Sequence, residues 1–295
     1  MTIEDTGLTL DGSVEKLHRA VRDHYDKLID LYEQMWGEHI HHGYWDPDQP
    51  ALQRHQAQRR LVQEMIAFGA VPAGSRVLDS GCGIGASAIM LARDLGCEVE
   101  GITLSEEQVR RANEKSAEAS VAQHTRFRVM DAMHTDYEDA TFDVVWSLES
   151  CELMPDKRGY LAECARLLRP GGRLVVATWC SRDDQLKPTE VRLLRRIYRD
   201  FAVSFVLPIE HYARLCAELG YVDFEASDWT AHVRATWKVS GDIVKPLVRD
   251  PSFVWRLIRA KGFDTFRFIK SVPLMKQAYD RNIIRYGVFR ATKPA

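Results

Sequence analysis

The spacing of apolar side chains predicts two amphipathic helices followed by a regular alternation of strands and helices. Apolar residues recur at steps of three and four over residues 12–34, and a second helical pattern over residues 52–68 follows the helix-breaking segment DPDQP. From residue 76 onwards, short apolar runs alternate with further helical patterns. The predicted strands are 76–81, 98–104, 125–132, 142–150 and 173–179, and the predicted helices between them are 86–96, 105–119 and 156–168.

Beyond residue 180 the pattern becomes mainly helical. It predicts helices at 188–202 and 208–219, a strand at 221–229, helical segments as far as residue 281, and a last strand, IIRYGVFRAT. Between residues 231 and 282, Pro246, Pro251 and Pro273 predict short helices arranged as a cover. The aromatic residues that alternate with basic ones in this segment are Trp237, Phe253, Trp255, Phe263, Phe266 and Phe268.

Strands and helices that alternate at this rhythm predict an α/β protein with a doubly wound parallel sheet, covered by helices on both faces. We divide the chain into an N-terminal helical cap (1–70), a core (71–230), a helical lid (231–282) and a final core strand (283–295). One core with an appended lid fits a length of 295 residues.

The overall composition is that of an ordinary soluble globular protein, with 45% hydrophobic and 28% charged residues, and it excludes a disordered chain. No apolar run approaches the ~20 residues that a membrane-spanning helix needs. The acidic start MTIEDTGLTL lacks the basic-then-apolar order of a signal peptide, so we predict a cytoplasmic protein. The six cysteines are scattered, which excludes a zinc ribbon and a C-x-x-C redox motif.

Charge is distributed unevenly along the chain. Residues 231–295 contain fourteen Lys and Arg against four Asp and Glu, or +10, which leaves −12 for the rest of a chain with a net charge of −2. Because no recognition motif accompanies the basic residues, we predict no nucleic-acid partner. A solvated basic face that docks on an acidic core explains the asymmetry best, and an acidic or membrane partner is the alternative.

The segment WGEHIHHGYW, residues 36–45, combines three histidines with three large aromatic residues. Neutral imidazole is a common metal ligand, which makes His39, His41 and His42 candidates for a metal site. However, structural zinc sites use spaced pairs of Cys or His, and zinc proteases use H-E-x-x-H on a helix. Neither pattern is present, so the spacing argues against a metal.

The segment DSGCGIG, residues 79–85, directly follows a predicted strand and opens a predicted helix. In a doubly wound sheet, ligands bind outside the carboxyl ends of the strands. Glycines allow backbone amides to approach such a ligand closely, and a helix N-terminus favours a negative group. The spacing is G-x-G-x-G, whereas the dinucleotide fingerprint is G-x-G-x-x-G. The loop therefore predicts a ligand site, and a tight turn without a ligand is the alternative.

The chain contains, in this order, the segments LDSGCGIG, GITLSEEQ, FDVVWSLES and LRPGGRLVVATW. In this combination they resemble the class I S-adenosylmethionine-dependent methyltransferases. The segments WGEHIHHGYWDP, FDVVWSLESCELMPDK and PLMKQAYDRNIIRYGVFRATK are similar to the tocopherol methyltransferase subgroup, whose cousins are the sterol and cyclopropane-fatty-acid methyltransferases. This resemblance implies a Rossmann-like sheet of seven strands with the last strand antiparallel. It also implies methyl transfer from S-adenosyl-L-methionine, with S-adenosyl-L-homocysteine as product, to a hydrophobic prenylated or aromatic small molecule.

The resemblance assigns the cofactor-binding residues. Gly81, Gly83 and Gly85 would approach the methionine part of the cofactor, and Asp79 would steady the loop. The ribose would be held by Thr103, Leu104 and Gln108, the adenine by Asp131 and Ala132, and the methionine carboxylate or the sulfonium by Tyr25.

In the relatives, the segment that corresponds to WGEHIHHGYW forms a wall between cofactor and acceptor. Aromatic faces attract a cation such as a sulfonium by ~0.5–2 kcal/mol, which gives Trp36, Tyr44 and Trp45 a role without any metal. We count Trp36 among the cofactor-binding residues and His41 as a candidate base. Aromatic residues that merely pack the cap onto the core are the alternative for each of these side chains.

The catalytic candidates are Glu149, Glu152, His41 and Tyr25, because methylation of a carbon needs a group that stabilises a cation or accepts a proton. The resemblance selects the two glutamates, since the tocopherol and sterol enzymes have an acidic residue that matches Glu149 and the cyclopropane synthases have one that matches Glu152. For Glu149, a structural role with hydrogen bonds to loop amides is the alternative. The tocopherol enzymes have a histidine in place of Leu153 and a glycine in place of Cys151. This departure predicts a more apolar pocket and a tailoring enzyme of specialised metabolism. N- or O-methylation of an alkaloid or phenolic acceptor, and a non-catalytic cofactor-binding protein, are the alternatives, and a homo-oligomer stays open.

Overall fold

A single mixed sheet forms the centre of the molecule. The computed structural model describes residues 14–48, 52–182 and 186–295. In this part of the chain the strands run in the order β3-β2-β1-β4-β5-β7-β6. They are β1 (Arg76–Ser80), β2 (Glu98–Thr103), β3 (Thr125–Val129), β4 (Phe142–Leu148), β5 (Leu168–Ser181), β6 (Val222–Asp228) and β7 (Ile284–Thr292). Strands β1 to β5 pair in parallel, and β7 is antiparallel to both neighbours. The predicted fold is confirmed.

Helices cover the sheet and form the cap and the lid. They are α1 (Val14–Trp36), α2 (Arg54–Gly69), α3 (Ala86–Leu95), α4 (Glu106–Glu118), α5 (Lys157–Leu167), α6 (Pro188–Phe201), α7 (Ile209–Glu218), α8 (Thr230–Val233), α9 (Ala235–Arg249), α10 (Pro251–Lys261) and α11 (Phe263–Asp280). The predicted start of the first helix at residue 12 and the end of DPDQP lie outside the described residues. No helix in the described ranges is long and apolar enough to cross a bilayer.

Strand β4 illustrates why the core strands read as continuous apolar runs. It pairs with β1 on one side and β5 on the other. Val144 and Trp146 point into the core that lies under α2, α3 and α4, whereas Phe142 and Val145 point into the core under α5 and α7. Both faces of the strand are therefore buried, and side chains of either parity must be apolar.

The lid helices differ from the prediction at two prolines. Pro251 begins α10, as expected, but Pro246 lies inside α9 and Pro273 lies inside α11. An internal proline costs about 3 kcal/mol of helix stability. Helix α11 nevertheless continues, because its buried residues, among them Phe268 and Val272, pack it against α6 and α9. The side chains of Phe253 and Phe263 lie outside the described part.

Candidate active site

A large cavity, which we call the first cavity, opens at the carboxyl ends of β1, β2 and β4. Its volume is about 1020 Å³, including the part that is open to solvent. The predicted cofactor-binding residues in its wall are Tyr25, Asp79, Gly81, Gly83, Thr103, Leu104, Gln108, Asp131 and Ala132. Their convergence agrees with the ligand position expected for a doubly wound sheet.

The glycine loop has a backbone that other residues rarely adopt. Gly81, Gly83 and Gly85 have φ angles of 87°, 53° and 84°. A Cβ atom on Gly81 would lie 2.2 Å from the Cβ of Ser150, and one on Gly83 would lie 3.0 Å from the Cδ1 of Ile40. Glycine is therefore required by conformation at all three positions, and by space at Gly81 and at Gly85, where a Cβ would lie 2.9 Å from Cζ of Phe127. Gly85 does not line the first cavity, so its predicted contact with the cofactor is corrected to a place in the turn that begins α3.

Asp79 carries an acceptor atom that fits a ligand. Its side chain is 1% exposed, and the backbone N–H of Ala88 donates to it. Its second oxygen, Oδ2, is buried without a partner among the described residues. Burial raises the pKa of Asp79 to about 7. Because a buried acceptor is costly when unpaired, this atom fits a ligand that carries N–H donors, such as the amino group of S-adenosylmethionine.

Thr103 and Gln108 form a unit at the end of β2. The Thr103 hydroxyl donates to Oε1 of Gln108 over 2.5 Å, which leaves the amide NH₂ group to donate to a ligand hydroxyl. Ser105 caps α4 by accepting from the backbone N–H of Gln108. Beyond β3, one oxygen of Asp131 accepts from the N–H of Met133, and the other lies 3.6 Å from Nδ1 of His18.

Helix α1 forms a roof over the first cavity. His18, Val21, Arg22 and Tyr25 point from it into the cavity. Four interactions connect this roof to α4 and its N-cap residue. They are the hydrogen bond from Ser105 to Asp26, the ion pairs of Arg111 with Asp30 and with Glu33, and the ion pair of Lys115 with Glu33.

A second cavity of about 490 Å³ adjoins the first. The two cavities share Tyr25, Ile40, His41, Glu149 and Leu153. The remaining wall of the second cavity consists of Tyr32, Trp36, His42, Glu152, Trp179, Phe201, Val203 and Trp237. Its lining is thus mostly aromatic, with two carboxylates.

Trp36 does not reach the first cavity. It lies in the second cavity, packed against Tyr32, Trp237 and Phe268. Its predicted place among the cofactor-binding residues is therefore corrected to a place in the wall of the neighbouring cavity, because α1 ends on that side.

Tyr44 and Trp45 also lie away from both cavities. The Tyr44 ring stacks on His232 with centroids 4.2 Å apart, and Nε1 of Trp45 donates to the carbonyl of Leu52. The prediction that these two residues form a wall between cofactor and acceptor is therefore wrong. They instead pack the cap onto the rest of the molecule, which was the alternative.

The side chains of His39 and His41 form a hydrogen bond with each other. Nδ1 of His41 lies 2.7 Å from the carbonyl of His42, so it must carry a hydrogen, and the unprotonated Nε2 accepts from Nδ1 of His39 over 3.0 Å. Burial lowers the pKa of His41 and, with the charge of His41, lowers that of His39 to about 2. With both ring nitrogens engaged, His41 is poorly placed to be the base that we expected. In the described residues, no group of three or more His, Cys, Asp or Glu could hold a metal.

Glu149 follows β4 with a left-handed backbone, at φ 54°. Such a conformation costs about 1–3 kcal/mol for a residue other than glycine and is common at functional sites. Its Oε1 accepts from the N–H of His42 over 2.8 Å and from the hydroxyl of Tyr286 over 2.9 Å, and its Oε2 lies 2.9 Å from Nδ1 of His42. Burial raises the pKa of Glu149, but the hydrogen bonds from His42, and the positive charges of His42 and His41 whenever these imidazoles are protonated, outweigh burial and lower it.

The pKa of Glu152 is shifted in the opposite direction to that of Glu149. Its side chain is 2% exposed and accepts from the hydroxyl of Thr178 over 2.9 Å. Burial and the neighbouring charge of Glu149 raise its pKa to about 8. Lys157 and Ser204 donate to its backbone carbonyl and fix the turn. The site therefore holds one ionised and one neutral carboxyl group, the arrangement that separates base and acid roles.

Sequence reasoning missed Thr178, Tyr279 and Tyr286. Thr178 lies inside β5, Tyr279 near the end of α11 and Tyr286 in β7, and their patterns were those of ordinary core positions. Their contacts with Glu152, His42 and Glu149 depend on strand order and helix packing, which no local pattern reports.

Four known proteins and families are similar to this chain. Residues 78–176 match the family model described as a methyltransferase domain. The chain is 34% identical to the tocopherol O-methyltransferase of the chloroplast of Arabidopsis thaliana, over 96% of this chain and 84% of that protein. It is 38% identical to the 27-O-demethylrifamycin SV methyltransferase of Amycolatopsis mediterranei, over 72% of this chain and 77% of the other. The crystal structure of the [4+2]-cyclase SpnF shares the fold, with a TM-score of 0.77 at 24% identity, over 93% of this chain and 96% of that chain.

The glycine loop, the strand order and the identity along nearly the whole chain agree on one assignment. The chain belongs to the S-adenosylmethionine-dependent methyltransferases, in the family that includes the tocopherol O-methyltransferases.

Proposed function

We propose that this enzyme methylates a carbon atom of a hydrophobic prenylated or aromatic small molecule, bound in the second cavity, in specialised metabolism. One observation carries the proposal. A cavity walled by aromatic rings adjoins the cofactor cavity, and the two share Tyr25 and Glu149. Apolar walls suit such an acceptor, because each buried CH₂ group contributes about 0.8 kcal/mol.

The first cavity supports the following distribution of roles. Bound S-adenosylmethionine supplies an electrophilic methyl group on a sulfonium. The glycine loop and Asp79 hold the methionine part, Thr103 and Gln108 the ribose, and Asp131 with Ala132 the adenine. The roof helix α1 and the aromatic walls exclude water, and they hold acceptor and methyl group aligned.

The two carboxyl groups support reaction at a carbon. Attack by an alkene or an activated ring creates positive charge on the acceptor, and the ionised carboxylate of Glu149 stabilises such charge from the edge of the second cavity. Neutral Glu152 can donate a hydrogen bond to a polar group of the acceptor. Leu153, which faces both cavities, makes the junction apolar, whereas Cys151 is buried against Tyr212.

The test uses a methyl donor labelled with carbon-13. Purified enzyme is incubated with a tocopherol that has an unmethylated ring carbon, with 27-O-demethylrifamycin SV and with a hydrophobic secondary-amine alkaloid. We expect a product with a new methyl group on carbon, located by mass spectrometry and NMR. A methyl group found on oxygen or nitrogen would contradict carbon methylation, and methylation of small polar acceptors alone would contradict the acceptor class. The cytoplasmic location stays a prediction, to be checked by fractionating cells.

A further inference from the structure

His42 and Glu149 both line the second cavity. Nδ1 of His42 is 2.9 Å from Oε2 of Glu149. On the opposite side of the ring, Nε2 is 3.3 Å from the hydroxyl of Tyr279. The rings of Trp179 and Trp237 pack against it at centroid distances of 5.9 and 5.2 Å. The imidazole is therefore held in one orientation.

The partners of His42 determine its tautomer. An ionised carboxylate can only accept, so Nδ1 carries the hydrogen that it shares with Glu149. In a neutral imidazole, Nε2 then has a free lone pair. The hydroxyl of Tyr279 can donate to this lone pair, but at 3.3 Å the contact is long. A group of the substrate that receives the methyl group can therefore take the place of the hydroxyl.

The other titratable groups around His42 are poor proton acceptors. Glu149, from β4, has both oxygens occupied by three hydrogen bonds that favour its ionised form. Burial raises the pKa of Tyr279, from α11, and of Tyr286, from β7, so both hydroxyls hold their protons. Neutral Glu152 already has a proton, and the lone pair of His41 accepts from His39.

We propose that Nε2 of His42 accepts the proton that the acceptor releases during methyl transfer, and that Glu149 orients His42 and stabilises its imidazolium form. This inference rests on the proposed function and names the base of that reaction. The new bond joins the methyl carbon to the acceptor atom, the bond from sulfur to the methyl carbon breaks and leaves a neutral thioether, and the proton of the acceptor moves to Nε2. The positive charge then lies next to the carboxylate of Glu149.

The first test needs no acceptor. Protein labelled with nitrogen-15 at histidine is studied by NMR as the complex with S-adenosylhomocysteine, and His42→Gln identifies the signals. We expect a protonated Nδ1 and an unprotonated Nε2 near neutral pH. In Glu149→Gln this preference for one tautomer should weaken. A proton on Nε2 of His42 in the wild-type complex would overturn the proposal.

The second test measures catalysis with the tocopherol substrate that has a free ring carbon. We expect His42→Gln to lower kcat by about 100-fold or more, while KM and the Kd for S-adenosylhomocysteine change by less than about threefold. The double variant with Glu149→Gln should be hardly slower than the slower single variant, because the pair acts as a unit.

His124→Gln provides a matched control. His124 forms a similar pair with Glu98, at 2.7 Å, but it is exposed and lines neither cavity. A His42→Gln enzyme that keeps its kcat while Glu149→Gln loses it would make Glu149 the base and overturn the proposal. If the wild-type enzyme methylates no tested acceptor, the proposed acceptor class fails, whereas the NMR result still decides the role of His42.

Discussion

Replacement of Glu152 by glutamine should stabilise the protein, and the gain should grow with pH. Glutamine has nearly the shape of a protonated glutamate and can accept the same hydrogen bond from Thr178. The folded pKa of Glu152 lies above its ordinary value because of burial and the charge of Glu149. The folded protein therefore retains a proton that the unfolded chain loses, and stability must fall as the pH rises between the two values.

The size of the effect follows from the two pKa values. A rise from 4.5 to about 8 corresponds to roughly 5 kcal/mol, at about 1.4 kcal/mol per pH unit. The favourable contribution of the neutral form is complete below pH 4.5 and is lost as the pH rises through about 8. The stability difference between Glu152→Gln and the wild type should therefore widen by several kcal/mol over this range and become constant above it.

The assay is urea unfolding of both proteins between about pH 5 and about pH 9, followed by circular dichroism. Glu118→Gln, at the exposed end of α4, serves as the control. Its free energy of unfolding should change with pH in parallel with that of the wild type. If the curves of Glu152→Gln and wild type also run parallel, Glu152 is not held neutral by the fold, and its assignment as a hydrogen-bond donor is wrong.

Further predictions concern the cofactor, metal and acceptor. Gly83→Val should lose binding of S-adenosylhomocysteine, measured by calorimetry, and keep its circular dichroism spectrum, because the side chain would oppose φ 53° and press on Ile40; normal binding would contradict this reason. A chelator should leave methyl transfer unchanged, since His39 and His41 are bonded to each other; activity that is lost and then restored by zinc or magnesium would refute this prediction. Trp237→Ala should raise KM for the acceptor without changing cofactor affinity, whereas exposed Trp255→Ser should change neither; weaker cofactor binding in Trp237→Ala would show that the two cavities are not separate sites.

The fold was largely predictable from sequence, because its patterns are local. Strands buried on both faces appear as apolar runs, and Gly96 marks the end of α3 by adopting φ 65°. The position of the first cavity could also be predicted from the sequence, since the residues after β1, β2 and β3 converge once the sheet is parallel. Local patterns were insufficient at Pro246 and Pro273. Both prolines disfavour a helix, yet tertiary packing keeps α9 and α11 continuous through them.

The partners of the three histidines could not be predicted from the sequence, for a different reason. His39, His41 and His42 look equivalent in WGEHIHHGYW, and only their partners distinguish them. His39 and His41 form a hydrogen bond with each other, whereas His42 forms one with Glu149, which is 107 positions away in the sequence. Such partners depend on the packing of the cap against the edge of the sheet, and no local pattern encodes them.

The position of β7 has a consequence for protein synthesis. Residues 284–292 come late in the chain, yet they lie inside the sheet between β5 and β6. While the ribosome still holds this segment, β6 has no strand to pair with in the described sheet, and Glu149 lacks the hydroxyl of Tyr286. The first cavity is lined by residues that follow β1 to β4, and it can form earlier. A nascent chain can thus form this cavity before the hydroxyl of Tyr286 reaches Glu149.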